Sequence, residues 1–264
     1  MNRVLIEGVH LEVMHVPGPD VAQARASLVF LHEGLGSVAM WRDWPEVVCR
    51  ATGRDAWVYS RRGYGQSDPV PDARGATNDG AGGRLQADYL HYEALTVLPA
   101  LLERLGLAAP VLVGHSDGAS IALIHASRYP VTACVVMAPH VMVEDVSIQS
   151  IRQARQAFET GDLRARLARY HADVDGAFWQ WNDAWLNPAF HHFDIRAECS
   201  RIAAPVLAIQ GDQDPYGTLA QIDEIALPAH QLKRVVLEGC GHSPHRDQTA
   251  LTIRCVADFL ASRA

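Results

Sequence analysis

Gly114-His115-Ser116-Asp117-Gly118 sets one hydroxyl between two glycines, the spacing of a tight strand-to-helix turn that lifts a serine to its tip. A side chain at either glycine would crowd the neighbouring strand or helix, and the following helix would point its positive end at Ser116. Composition alone would produce this pattern roughly 0.07 times in a shuffled chain, so its context must carry the rest of the weight. A serine hydroxyl is a weak nucleophile, and an imidazole that titrates near neutral pH has to take its proton as it attacks. A carboxylate then fixes the imidazole tautomer, and preorganised N–H donors hold the developing oxyanion, each typically worth ~3 kcal/mol. Downstream, Gly211-Asp212-Gln213-Asp214 offers two carboxylates and Gly239-Cys240-Gly241-His242 an imidazole, with His245 close behind. The chemistry open to such a set is acyl transfer to serine, followed by hydrolysis.

The elements that must position these groups alternate along the chain. Val4 to Val16, broken at Gly8, reads as an opening hairpin. Ser27 to Leu31 and Ala56 to Ser60 read as strands buried on both faces, with a short helix from Trp41 to Ala51 between them. Arg61 to Gly83 is rich in Gly, Pro and Asp and reads as loop. Leu95, Leu98, Leu102 and Leu105 recur at helical spacing, which predicts an amphipathic helix over Arg84 to Gly106. Pro110 to Val113 is then a strand, Gly114 to Gly118 a turn, Ala119 to Tyr129 a helix stopped by Pro130, and Val131 to Met137 a strand. After residue 200 the rhythm resumes with a strand from Pro205 to Gln210, a helix near Leu219 to Ala226, a strand from Leu232 to Leu237 and a closing helix from about Asp247 to Leu260. This alternation predicts an α/β fold, a mostly parallel sheet with helices on both faces. Both acid and imidazole candidates then fall at the carboxyl ends of strands, where open α/β sheets collect their ligands.

Composition excludes several classes. The chain has 264 residues, 48% hydrophobic and 20% charged, enough to bury a core without disulfides. A formal net charge of -7 supplies no basic field for nucleic acid. Cys49, Cys134, Cys199, Cys240 and Cys255 are scattered, odd in number and without the close pairs of structural zinc, which suits free thiols in a reducing cytoplasm and no metal or other cofactor. Residues 1–19 lack the continuous apolar core of a signal peptide, and no apolar run reaches membrane-spanning length. A cytoplasmic monomer or homodimer with a small-molecule substrate is therefore expected.

Across nearly the whole chain these motifs resemble the α/β-hydrolase superfamily. Leu31-His32-Glu33-Gly34-Leu35-Gly36 is similar to the superfamily's oxyanion loop after the third strand, and Arg62-Gly63-Tyr64-Gly65-Gln66-Ser67 resembles its strand-four turn. The resemblance implies Ser116 as nucleophile, Asp214 as acid and His242 as base, with the backbone N–H groups of Gly34 and Asp117 as the oxyanion hole. Asp212 is the rival to Asp214, and His245 the rival to His242. His32 and His115 read as structural histidines near the elbow, and Cys240 as a packed thiol. Two positions depart from the superfamily: Glu33 stands where a glycine usually follows the loop histidine, and Asp117 where an uncharged residue is commoner. Either carboxylate would oppose an oxyanion if it pointed inward unpaired. Each is expected to point away, to be paired or to be protonated, unless Asp117 binds a polar group of the substrate.

Residues 139–200 interrupt the alternation and read as a helical cap inserted into a core of residues 1–138 and 201–264. Phe178, Trp179, Trp181 and Trp185 lie close together there, and at least one of the three tryptophans is expected to face substrate, with Glu33 a further candidate contact. The cap holds six Arg against nine Asp and Glu, no net basic surface for a coenzyme A thioester unless Arg152, Arg155, Arg164, Arg166 and Arg169 gather locally. The expected reaction is hydrolysis, through an acyl-enzyme, of a carboxylic ester of small or medium size, aromatic ones included. A thioesterase and a carbon–carbon bond hydrolase of ring-fission products would use the same groups, and a small-molecule receptor could retain them without turnover.

Overall fold

The computed structural model describes residues 2–19, 25–75 and 85–261; the remainder, including residues 76–83 of the expected loop and Arg84 at the start of the expected helix, lies outside the described residues. Among the described residues eight strands are formed: β1 (Asn2–Ile6), β2 (Val9–Val16), β3 (Leu28–Leu31), β4 (Ala56–Tyr59), β5 (Val111–His115), β6 (Ala133–Met137), β7 (Val206–Gly211) and β8 (Leu232–Leu237). Their spatial order is β1-β2-β4-β3-β5-β6-β7-β8. β1 with β2 and β2 with β4 pair antiparallel, and every later pair is parallel. The opening hairpin turns through Glu7 (φ 47°) and Gly8 (φ 78°), a two-residue loop whose positive φ angles match the twist of its strands.

Each central strand is buried on both faces because it divides its side chains between two cores. On β3, Val29 and Leu31 enter one cluster and Leu28 and Phe30 the other. On β7, Val206 and Ala208 face one way and Leu207 and Ile209 the other. That period of two explains why these segments read as unbroken apolar runs. Helices Trp44–Thr52 and Thr249–Ala261 cover one face through Val48, Val256 and Phe259, while Leu98–Leu105 and Asp117–Ala126 cover the other. The last of these is buried along its whole length, so Ile121, Leu123 and Ile124 pack on several sides at once.

The expected elements differ in their limits. β5 continues through Gly114 and His115, which pair with Val136 and Met137 of β6, so the turn is confined to Ser116 and the helix begins at Asp117, not Ala119. That helix ends at Ala126, three residues short of the expected Tyr129. The expected helix to Gly106 is observed as Tyr89–Tyr92, a π-helical turn over Glu93–Val97 and Leu98–Leu105, closed by Gly106 at φ 72°. The helix near Leu219 shrinks to one turn, Ala220–Asp223, and the closing helix starts at Thr249 after a separate turn, Pro244–Asp247.

Between β6 and β7 lie Asp145–Thr160, Leu163–Leu167, Val174–Trp185, Pro188–His192 and Arg196–Cys199, all helical. Asp173 caps Val174–Trp185 by accepting the Gly176 N–H at 2.9 Å. All five cysteines are free thiols. Among the described residues no helix is long and apolar enough to cross a membrane.

Candidate active site

The elbow closes because its glycines have no side chains. A Cβ at Gly114 would lie 2.4 Å from the Gly118 carbonyl oxygen, and one at Gly118 2.0 Å from that of Leu31. Those neighbours are backbone of the sheet and helix and cannot step aside. Gly118→Ala should therefore cost about 2–3 kcal/mol of stability in urea unfolding; an unchanged midpoint would show that β3 and the elbow helix are not in this contact. Ser116 itself is held at φ 53°, ψ -119°, a conformation costing roughly 1–3 kcal/mol that persists only because strand and helix fix both of its ends.

Three strand ends bring the candidate groups together. Ser116 follows β5, Asp214 follows β7 and His242 follows β8. His242 Nε2 lies 2.9 Å from Ser116 Oγ, and His242 Nδ1 lies 2.7 Å from Asp214 Oδ2 and 2.9 Å from Oδ1. Asp214 also accepts from Gln210 Nε2 at 2.8 Å and from the Tyr216 N–H at 2.8 Å. A carboxylate so surrounded by donors fixes the hydrogen of His242 on Nδ1 and leaves Nε2 free to accept from the serine. Burial works against the Asp214 charge, but the hydrogen bond and charge of His242 and the Tyr216 N–H outweigh it and hold the carboxyl below its ordinary range.

The rivals are placed elsewhere. Asp212 accepts the Gly239 N–H at 2.7 Å and so braces the turn after β8. His245 is buried against Trp41 and Trp44, with ring centroids 5.0 and 5.5 Å away, and burial pushes its imidazole well below the usual value. His32 bridges its own loop to the strand-four turn: Nδ1 lies 2.6 Å from the Glu33 carbonyl, and Nε2 accepts the Arg61 N–H at 3.0 Å. The Cys240 thiol is buried, and its pKa is pushed up to about 11 by burial and by nearby carboxylates, which leaves it inert.

Both unusual carboxylates are paired. The Asp117 side chain accepts from Tyr89 Oη at 2.6 Å and from Trp185 Nε1 at 3.2 Å, and the Arg61 guanidinium lies 3.6 Å away. Burial raises its pKa, and these partners offset part of that cost. Glu33 lies 3.5 Å from His115 Nδ1 and 3.4 Å from Arg246 Nη2. Burial opposes its charge too, yet His115 and Arg246 hold its carboxyl well below the usual range.

A cavity of about 210 Å³ opens over Ser116, lined by Glu33, Gly34, Leu35, His140, Ile151, Trp181, Trp185 and Tyr216 among others. Gly34 and Asp117 both border it. Of the three tryptophans, Trp181 and Trp185 line it and Trp179 does not. Residues 181 and 185 are one helical turn apart and share a face, whereas 179 is turned away by two residue steps, about 200° around the helix. Trp179 is covered instead by the guanidinium of Arg74, 3.8 Å above its ring. The arginines of this region do not converge on the cavity: Arg155, Arg164 and Arg166 pair with Glu159, Asp175 and Asp162. A larger cavity of about 260 Å³ lies between the opening hairpin and Tyr89–Val97, but none of Ser116, Asp214 and His242 borders it, so position near the chemistry decides for the smaller one.

Three polar residues at this rim were not singled out from the sequence. Tyr216 packs its ring 4.7 Å from that of His242 while its N–H serves Asp214. Gln210 reaches the same carboxylate from within β7. His140 lies three residues beyond β6, at the same sheet edge as the other groups; it is buried against Trp185 with its pKa lowered to about 3, first by burial and then by His242. Position at a strand's carboxyl end is the signal that could have found it.

A family model described as the Alpha/beta hydrolase family matches residues 28–254. A curated relative, sn-1-specific diacylglycerol lipase ABHD11 of Mus musculus, is 24% identical over 268 residues, covering 89% of this chain and 81% of its own. Among solved structures, the enol-lactonase from Burkholderia xenovorans LB400 superposes with a TM-score of 0.71 at 19% identity, over 98% of this chain and 100% of its own. A thermophilic esterase from Thermogutta terrifontis gives 0.73 at 17% identity, over 99% of both chains.

Proposed function

The chain belongs to the alpha/beta hydrolase family and is a hydrolase, and from that premise we propose that it cleaves a neutral carboxylic ester of small or medium size through an acyl-enzyme on Ser116. The observation that carries this reading is the unbroken contact Ser116 Oγ, His242 Nε2, His242 Nδ1, Asp214 Oδ2, at 2.9 and 2.7 Å. His242 Nε2 takes the hydroxyl proton as Oγ attacks the ester carbonyl carbon. The carbonyl oxygen becomes an oxyanion held by the N–H groups of Gly34 and Asp117, the second of them at the positive end of the helix Asp117–Ala126. Collapse expels the alcohol, which leaves with the proton from His242, and an acyl ester remains on Ser116. Water, deprotonated by His242, attacks that ester, and the acid departs as the proton returns to Ser116.

The substrate class follows from the cavity wall. Leu35, Ile151, Trp181, Trp185 and Tyr216 supply an apolar, partly aromatic lining, and among the described residues no Arg or Lys borders it. An anionic acyl group would lose its hydration there without a cationic partner. This disfavours the conjugated diketo acids of ring fission. Ile151, Trp181 and Trp185 come from the segment between β6 and β7, so residues 139–200 act in this reading as a cap that roofs the acyl site.

The test is a kinetic panel of neutral aryl esters against hemisuccinate esters of matched size, an acyl-coenzyme A and a diketo ring-fission acid. Neutral esters are expected to lead in kcat/KM by at least about tenfold over their carboxylate-bearing analogues, the factor that some 1.4 kcal/mol of uncompensated charge provides. Preference for the hemisuccinates would overturn the neutral-substrate reading, and preference for the acyl-coenzyme A or the diketo acid would overturn the ester reading. A single turnover followed by arrest would point to a receptor.

A further inference from the structure

A second carboxylate–imidazole pair stands behind the first. His115, the last residue of β5, is buried at 1% exposure, and its Nε2 lies 2.7 Å from the main-chain carbonyl oxygen of His242. On the other side of the ring Glu33 Oε2 lies 3.5 Å from Nδ1. The second Glu33 oxygen faces Arg246 Nη2 at 3.4 Å, and that nitrogen also donates to the Met40 carbonyl at 3.1 Å. Glu33 folds back over its own loop, since a Cβ on Gly36 would lie 2.5 Å from its Oε2, and the loop is closed by the Gly36 N–H donating to the Glu33 carbonyl at 3.0 Å. Between them in this turn lie Leu35 and Gly34, the second of these the donor proposed for the oxyanion.

A carbonyl oxygen only accepts, so His115 Nε2 carries a hydrogen in its contact with His242. On the opposite side of the ring the Glu33 carboxylate lies within ion-pair distance of Nδ1, 3.5 Å away. Both Glu33 oxygens are thereby committed to protein groups. We infer that Glu33 is a positioning residue for the proposed reaction: through His115 it holds the main chain of the base, through Arg246 it holds the turn that follows, and through its own backbone it sets Gly34. One side chain keeps the loop after β3 and the loop after β8 in register on either side of Ser116. Such a role acts on the geometry of attack, where misplacement by an ångström costs rate and leaves ground-state binding intact. The inference rests on the reading of Ser116 and His242 as nucleophile and base.

The experiment measures phosphonylation of the full chain by a neutral fluorophosphonate, with the adduct located by mass spectrometry and saturation kinetics separating maximal rate from half-saturating concentration. Glu33→Gln, His115→Gln and the double variant are compared with the unaltered protein, each with its thermal midpoint. Glu33→Gln is expected to lower the maximal rate about tenfold, to leave the half-saturating concentration within about twofold and to shift the midpoint by no more than about 2 °C. Because part of the Glu33 effect runs through His115, the double variant is expected to be slower than His115→Gln alone by less than the factor Glu33→Gln costs by itself. A Glu33→Gln rate equal to that of the unaltered protein, losses that multiply in the double variant, or a rate loss that merely follows a lowered midpoint would each overturn the inference. Unaltered protein that labels at Ser116 but hydrolyses no ester sinks the substrate reading alone, and the variant rates still decide for or against Glu33. Unaltered protein that does not label at Ser116 removes both.

Discussion

With Ser116 replaced by alanine, kcat on a neutral aryl ester is expected to fall by roughly 10⁴- to 10⁶-fold while KM moves by less than about threefold. The size follows from the part proposed for the hydroxyl: without Oγ beside His242 Nε2 the covalent route is lost, and only the proposed oxyanion donors and the confinement of substrate remain. Both should survive the change, because the proposed donors Gly34 and Asp117 are positioned by β3 and the elbow helix, not by the serine side chain. His242→Ala should cost nearly as much, and the two together little more than either alone, since proton acceptor and nucleophile act as a unit. Asp214→Asn should retain more activity, because its amide oxygen can still accept the Tyr216 N–H while the imidazole loses its charged partner. The measurement is steady-state kinetics, supported by unfolding midpoints that show each variant folded. A Ser116→Ala protein retaining more than about one per cent of kcat would mean that turnover does not pass through this serine.

The groups at the sheet edge were legible because their signals are local. Gly-x-Ser-x-Gly encodes one turn, and its two glycines meet backbone at the distances the pattern demands. The helical spacing of Leu98, Leu102 and Leu105 survives in the fold, and so does the two-faced burial of β3. What escaped is set by partners distant in sequence. β5 runs on through Gly114 and His115 because β6 offers Val136 and Met137 alongside, and no window around the elbow contains that information. The π-helical turn at Glu93–Val97 and the breaks in the last helices are likewise tertiary choices that override a smooth apolar period. Trp179 was grouped with Trp181 and Trp185 by proximity in sequence, although helical geometry sets it on another face. Glu33 was visible as a departure from a family pattern, but its partners, His115 and Arg246, stand 82 and 213 residues away and are joined to it only by the fold.

Acid is expected to unfold this protein through its histidines before its carboxylates titrate. Burial is the leading cause that lowers the imidazole pKa at His32, His125, His140, His171 and His245. A folded pKa below the unfolded value of about 6.5 means that the unfolded chain binds more protons in the interval between them. The stability these rings contribute is therefore complete above pH 6.5 and is lost as pH falls beneath it, each loss ceasing once the folded value is passed. For His140, whose folded value is about 3, the loss at pH 5 is about 2 kcal/mol. His171 shows the structural reason: its Nδ1 accepts the Gly65 N–H at 3.0 Å while Nε2 lies 3.0 Å from the Leu35 carbonyl, an arrangement only a neutral ring can make. Two buried carboxylates oppose the trend, since burial raises the pKa of Asp117 as well as that of Glu93. Glu93, whose Oε2 is buried, has its pKa raised to about 7 by burial, so it regains stability on acidification, by at most about 2 kcal/mol between pH 7.5 and pH 5, and cancels roughly one histidine. The remaining histidines then set the sign against a total stability of about 5–15 kcal/mol. Urea unfolding at pH 7.5 and pH 5.0 should show a marked drop in stability, and His140→Gln should narrow that difference by about 2 kcal/mol. Equal stability at the two pH values would mean that these imidazoles are charged within the fold, and the hydrogen-bond directions assigned to His32 and His171 would have to be reversed or abandoned.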